Sequence, residues 1–437
     1  MGPSLLTTAL DVQSAEEYLA NLKTLSHNWH MNTTQMPLIL GLLSLSATLL
    51  SPVSRADWSA AELTKIHAIA QAPIKINDGF ASTIWGSLQS LKNATGTHGQ
   101  DLVLKGLTGF RSPVTVTLAA RPAQEGARPL ILLIPGMFSD AKNANALRLQ
   151  EQLYAAGNHV LLIANPWSTQ FTEFYPEMET GQRELEADAV IGALDRVISQ
   201  ELGSARVKSF ALMGQSYGAL LATVIAGRLP AKLQPLFDER LILISPARDM
   251  AKSTKLIDVL LKETLSSYES GCTDFFSKLD FLNFSKADPY TAPSAKVLSC
   301  GKGLVVHAGF REKLLEVTRT KEKVMGNSWI PTDSAAKAAF ERSFSMDQFL
   351  SLASPSVYAI LHAGKTKTLG EWLTLAKQNQ ALNLKILSAS DDPLNEVKGW
   401  QQDTTYSYGG SELQLLPFGG HSGFVSFPEF AGLAAIF

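Results

Sequence analysis

Two cysteines in 437 residues are too few for a disulfide-stapled scaffold or a four-cysteine zinc site. No block of five or more Lys/Arg occurs, and 38 basic against 40 acidic residues leave a net charge of −2. Affinity for nucleic acid rests on neutralised phosphates, so the chain is read as binding none. No His-Glu-x-x-His is present, and no motif calls for a metal or a cofactor. Internal repeats and low-complexity tracts are absent too. Charged residues make up only 18%, whereas 45% are hydrophobic, enough apolar surface to order a packed globular chain.

The two cysteines, Cys272 and Cys300, read either as buried thiols or as one disulfide in an oxidising compartment. The N-terminus bears on that choice. Pro37 to Leu50 is an uncharged apolar run, followed by Ser54 and Ala56 at the −3 and −1 positions of a cleavage site. These are the features of a secretory leader ending at residue 56, although 36 residues precede the run and the nearest lysine is Lys23. A start at Met31 or Met36 would shorten that lead-in. Two further readings are an uncleaved anchor, which would associate the protein with a membrane, and an ordinary buried helix. The expectation is an exported (periplasmic or secreted) or membrane-anchored protein, with a cytoplasmic one as the alternative.

From about residue 100 the hydrophobic period shortens. Val114–Ala120 alternates, and Leu130–Ile134, His159–Ala164, Ser209–Met213, Leu241–Ile244 and Leu384–Leu387 are short apolar runs. Helix-period segments separate them over Ala141–Ala156, Gly181–Gly203 and Tyr217–Leu229. This rhythm predicts an α/β fold with a mostly parallel sheet flanked by helices. It breaks after Pro246. About 135 helix-like residues follow, too many for a loop in a compact domain, so they are read as an insertion.

Gly214-Gln215-Ser216-Tyr217-Gly218 lies between a predicted strand and a predicted helix, the setting in which G-x-S-x-G lifts a serine on a tight turn. A serine hydroxyl needs a base, and His421 stands out in Gly419-Gly420-His421-Ser422-Gly423, after the strand-like Glu412–Leu416. His307 and His362 fall in the insertion, and His27 and His30 precede the apolar run. The imidazole needs a carboxylate to fix its tautomer. Asp392 is the choice, since Pro393 starts a turn at the end of Leu384–Leu387; Asp391 and Asp249 are the alternatives.

The order Ser216, Asp392, His421, with the elbow, the Asp-Asp-Pro turn and the Gly-Gly-His-Ser-Gly loop, resembles α/β-hydrolase-fold serine esterases and lipases. The resemblance covers roughly residues 100–246 and 383–437, and makes the insertion a large, mainly helical cap placed late in the sheet. With the leader read over 1–56, the chain divides into a core formed by 57–246 and 383–437 and a cap over 247–382. The resemblance also implies an oxyanion hole from the amides of Tyr217 and Met137, with Phe138 second to Met137. Pro135-Gly136 stands where many relatives have His-Gly, and Asn165-Pro166-Trp167 where Arg-Gly is frequent.

The expected activity is hydrolysis of a carboxylic ester, small-molecule or lipid, through an acyl-enzyme and without a cofactor. Alternatives are an acyltransferase or peptidase with the same triad, or an inactive binding protein on this scaffold. Phe138 and Trp167, with Phe171, Phe174 and Tyr175, are candidates to line an acyl pocket or to pack beneath the cap. Phe275, Phe276, Phe281 and Phe284 are candidates for a lid or for cap core.

Overall fold

Apolar runs too short for helices bury both faces by pairing in a sheet that is covered on each side. The computed structural model describes residues 58–93, 98–272, 288–395, 399–400, 406–409 and 412–435, with 284, 286, 403 and 437 as single positions. The leader over 1–56 and the aromatic positions Phe275, Phe276 and Phe281 lie outside the described residues.

Eight strands pair among the described residues: β1 (Gly99–Leu104), β2 (Val114–Ala119), β3 (Arg128–Ile134), β4 (His159–Leu162), β5 (Val207–Gln215), β6 (Phe237–Ile244), β7 (Asn383–Ala389) and β8 (Leu413–Leu416). Their order across the sheet is β1-β2-β4-β3-β5-β6-β7-β8. The β1–β2 and β2–β4 pairs are antiparallel, and the rest are parallel. Alternation along β3 serves two cores. Leu130, Leu132 and Ile134 face one, while Ile131 and Leu133 face the other. β1 is absent from the sequence reading because Gly-Gln-Asp-Leu-Val-Leu is an edge strand with most side chains exposed or half-exposed.

The face of Ile131 and Leu133 carries α1 (Ala60–Gln71), α2 (Gly79–Asn93) and α3 (Ala144–Ala155). Ser59 and Glu62 close a capping box on α1, and Glu62 also pairs with the buried Lys385 of β7. That pair explains a lysine inside an otherwise apolar strand: its charge is matched from α1.

The opposite face is covered by α4 (Arg183–Arg196) and α5 (Tyr217–Ala226). The insertion follows β6 and contains α6 (Met250–Ser267), α7 (Ala295–Leu304) and α8 (Glu312–Met325), among others. Its last helix, α9 (Leu369–Asn379), does not belong with a cap. A Cβ on Gly227 at the end of α5 would sit 3.3 Å from Ala376, and Asn379 Nδ2 donates to Gly227 O at 2.8 Å. Helix α9 is thus a layer of the sandwich, and the cap is shorter than residues 247–382. Within the cap, Cys272 and Cys300 form a disulfide, the second of the two readings open from the sequence. No helix among the described residues is long and apolar enough to cross a membrane.

Candidate active site

Ser216 sits between β5 and α5 with φ 56° and ψ −124°, a left-handed conformation that costs about 1–3 kcal/mol for a residue with a side chain. Neighbouring glycines make the turn possible. A Cβ on Gly214 would lie 2.3 Å from Gly218 O, and one on Gly218 would lie 2.3 Å from both Ile134 O and Pro135 O. The elbow is tied to the sheet by Ser216 N donating to Ile244 O at 2.8 Å.

The structure brings the three sequence candidates together from three strand ends. His421 Nε2 lies 2.6 Å from Ser216 Oγ, and its Nδ1 lies 3.0 Å from Asp392 Oδ2 and 3.1 Å from Oδ1. The Asp392 side chain is fully buried and also accepts from Leu394 N at 2.9 Å and Asn395 Nδ2 at 3.1 Å. These donors hold the carboxylate in place. An elbow serine after β5, an acid after β7 and a histidine after β8, on a sheet of this strand order, settle the architecture. This is the α/β-hydrolase fold.

The alternatives to these residues have other work in the α/β-hydrolase framework. Asp391 Oδ1 accepts from Gly420 N at 2.8 Å, so it holds the histidine loop from the side. Burial raises its pKa to about 6. Asp249 caps α6 by accepting from Lys252 N. His307 is buried, lies 3.0 Å from Thr264 Oγ1, stacks on Tyr268 and is pushed down to about 4 by burial. His362 pairs with Asp347 at 2.7 Å on the cap surface.

Helix α2 was missed as part of the site. His421 N donates to Thr83 Oγ1 at 2.8 Å, and a Cβ on Gly420 would lie 2.1 Å from Gly79 O. Gly86 meets Gly423 so closely that a Cβ there would lie 2.5 Å from its Cα. The spacing of Gly79, Ser82, Thr83 and Gly86 on one helix was the available signal.

Gly136 to Ser139 form a turn closed by Ser139 N donating to Gly136 O at 3.1 Å, with Phe138 at φ 65°. Met137 and Phe138 line a cleft of about 480 Å³ beside Ser216 and His421. Tyr217 opens α5, so its amide has no acceptor within the helix. Trp167 departs from the expectation of a lining residue. It is 1% exposed and packs under the cleft against Tyr217, Phe349 and Phe138, with ring centroids 5.4, 5.8 and 6.2 Å away. Phe171 is likewise buried, packed with Tyr175 around Phe110.

No family model and no curated protein matches the chain. Among solved structures it is similar to Est1E from Butyrivibrio proteoclasticus, at 12% identity, over 77% of this chain and 94% of that one, with a TM-score of 0.39. It is similar to EstE1, a thermophilic carboxylesterase cloned from a metagenomic library, at 16% identity, over 81% and 93%, with a TM-score of 0.38. A lipase in its open form matches at 16% identity, over 77% and 96%, with a TM-score of 0.38.

Proposed function

We propose that the protein is a serine hydrolase that cleaves a carboxylic ester through an acyl-enzyme. The observation that carries this reading is the relay from Asp392 through His421 to Ser216 Oγ, with 3.0 Å and 2.6 Å separations. His421 Nε2 takes the hydroxyl proton as Ser216 Oγ attacks the ester carbonyl. Asp392 holds Nδ1–H and stabilises the imidazolium. The amides of Tyr217 and Met137 donate to the oxyanion, each worth about 3 kcal/mol of barrier. His421 then protonates the leaving alcohol, and later activates the water that attacks the acyl carbon. Water regenerates Ser216 and releases the acid.

The test is labelling by a fluorophosphonate together with hydrolysis of p-nitrophenyl esters. The wild-type chain takes the label and turns over the esters, and Ser216→Ala loses both. Label retained on Ser216→Ala overturns the assignment. An inactive binding scaffold would show no turnover, an acyltransferase would pass the acyl group to an added alcohol or amine in preference to water, and a peptidase would cleave amides in preference to esters.

We also propose that the protein is exported, or held at a membrane by its N-terminal segment. The Cys272–Cys300 disulfide supports an oxidising compartment, and Ser54 and Ala56 supply a cleavage site. Intact mass of the native protein beginning at Asp57 supports processing. Met1 retained on soluble cytosolic material argues against it.

A further inference from the structure

Two spaces of very different size meet at Ser216. One is the cleft of about 480 Å³, with Thr83, Ser87, Ser139, Asn143, Asn145 and Lys313 among its lining residues. The other is a pocket of about 30 Å³, lined mainly by Met250, Ile257, Ala247, Leu394, Phe310 and Tyr217. Met137, Ser216, His421 and Phe310 line both. Of these, Phe310 alone comes from the cap, on the π-helical segment Val305–Arg311. Its ring stands edge-on to Phe138, with centroids 6.0 Å apart.

An ester bound at Ser216 must place its acyl chain in one space and its alcohol in the other. Microscopic reversibility decides which. The alcohol leaves, and the hydrolytic water arrives, at the same side of the acyl carbon, where His421 gives and then takes a proton. That side must admit water. The cleft is wide and rimmed by hydroxyls, amides and one ammonium, whereas the small pocket is walled mostly by apolar side chains. The acyl chain therefore occupies the small pocket. About 30 Å³ holds roughly two water-sized groups, since one needs about 10–15 Å³. Two methylene-sized groups beyond the carbonyl is a short acyl chain.

We propose, resting on the serine-hydrolase reading above, that the enzyme removes short acyl groups, of about two to four carbons, from a large polar alcohol. Phe310 is the specificity-determining residue, because its ring closes the acyl pocket off from the cleft.

The experiment measures kcat/KM of the purified full chain for p-nitrophenyl acetate, butyrate, octanoate and laurate, with fluorophosphonate labelling in parallel. Acetate and butyrate are expected to exceed octanoate by at least about tenfold. Phe310→Ala and Ile257→Ala should each raise the octanoate-to-acetate ratio by about tenfold or more, with labelling showing that each variant retains a formed site. A second arm compares acetate release from ethyl acetate and from a peracetylated monosaccharide, and the bulky polar ester is expected to be the better substrate. Labelled protein that prefers octanoate or laurate, or variants that label normally with an unchanged ratio, overturn the acyl assignment. Labelled protein that favours ethyl acetate overturns the alcohol assignment. Loss of both labelling and all turnover overturns the serine-hydrolase reading itself, a distinct outcome.

Discussion

The phenol of Tyr217 donates a 2.5 Å hydrogen bond to Glu186 Oε2, and both residues are buried. Oε1 of the same carboxyl accepts from Gly181 N at 2.6 Å. The residue whose amide is proposed to face the oxyanion is thus held at its far end by a buried acid on α4. Lys321 of the cap helix α8 adds a buried ammonium nearby, bonded to Met178 O and Ala353 O at 2.9 Å each. Burial raises Glu186 to about 7 and lowers Lys321 to about 8.

Glu186 therefore makes stability depend on pH with a definite sign. Its folded-state pKa lies above its ordinary value near 4.5, so between those limits the native chain binds the proton that the unfolded chain has lost. Stability from this group is full below pH 4.5 and declines as pH rises to about 7. Glu186→Gln should flatten that decline in urea denaturation between pH 5 and 7. Tyr217→Phe removes a donor from the buried carboxyl and should cost about 1–3 kcal/mol, more at pH 8 than at pH 5. An unchanged slope in Glu186→Gln would contradict this account.

The two adjacent acids should separate cleanly on substitution. Asp392→Asn disturbs the tautomer of His421 and is expected to lower kcat by about three to four orders of magnitude. Asp391→Asn keeps an oxygen that can accept from Gly420 N, and is expected to stay within about tenfold of wild type. Steady-state hydrolysis of p-nitrophenyl acetate measures both. The reverse ranking would move the triad acid to Asp391.

The left-handed backbone at Ser216 makes a different substitution informative. Ser216→Gly relieves the strain at φ 56° and should raise the melting temperature relative to Ser216→Ala, equivalent to about 1 kcal/mol. Neither variant hydrolyses esters. If glycine were the less stable of the two, the strain would not be stored at this residue.

The disulfide joins cap residues 28 positions apart in the chain, and for such a loop the chain-entropy estimate is about 3–4 kcal/mol. Cys300 lies on α7, which ends at Leu304 on the cleft wall. Cys272→Ser with Cys300→Ser should lower the melting temperature, and dithiothreitol should then have no further effect. A double variant as stable as the oxidised wild type would remove the disulfide from the account of cap stability.

How much of this was legible in the sequence depends on whether the signal was local. The five short apolar runs anticipated β3–β7, because strands buried on both faces must be apolar along their length, while the alternation over Val114–Ala120 anticipated β2 and Glu412–Leu416 anticipated β8. Edge strand β1 left no such trace. Ser216 was legible because a sharp strand-to-helix turn demands glycine on both sides, and His421 because its loop needs glycines where Gly419 and Gly420 take φ 129° and 59°. The sequence by itself thus determined the sheet, the elbow, and the chain order of the candidate serine, acid and histidine, all set by backbone constraints within a few residues. Only the tertiary structure decided between Asp391 and Asp392, moved Trp167 beneath the cleft, assigned α9 to the sandwich, and set Thr83 and Phe310 at the site. Those outcomes depend on contacts between residues up to 338 positions apart, as for Thr83 and His421, and distance of that kind leaves no periodicity in a chain.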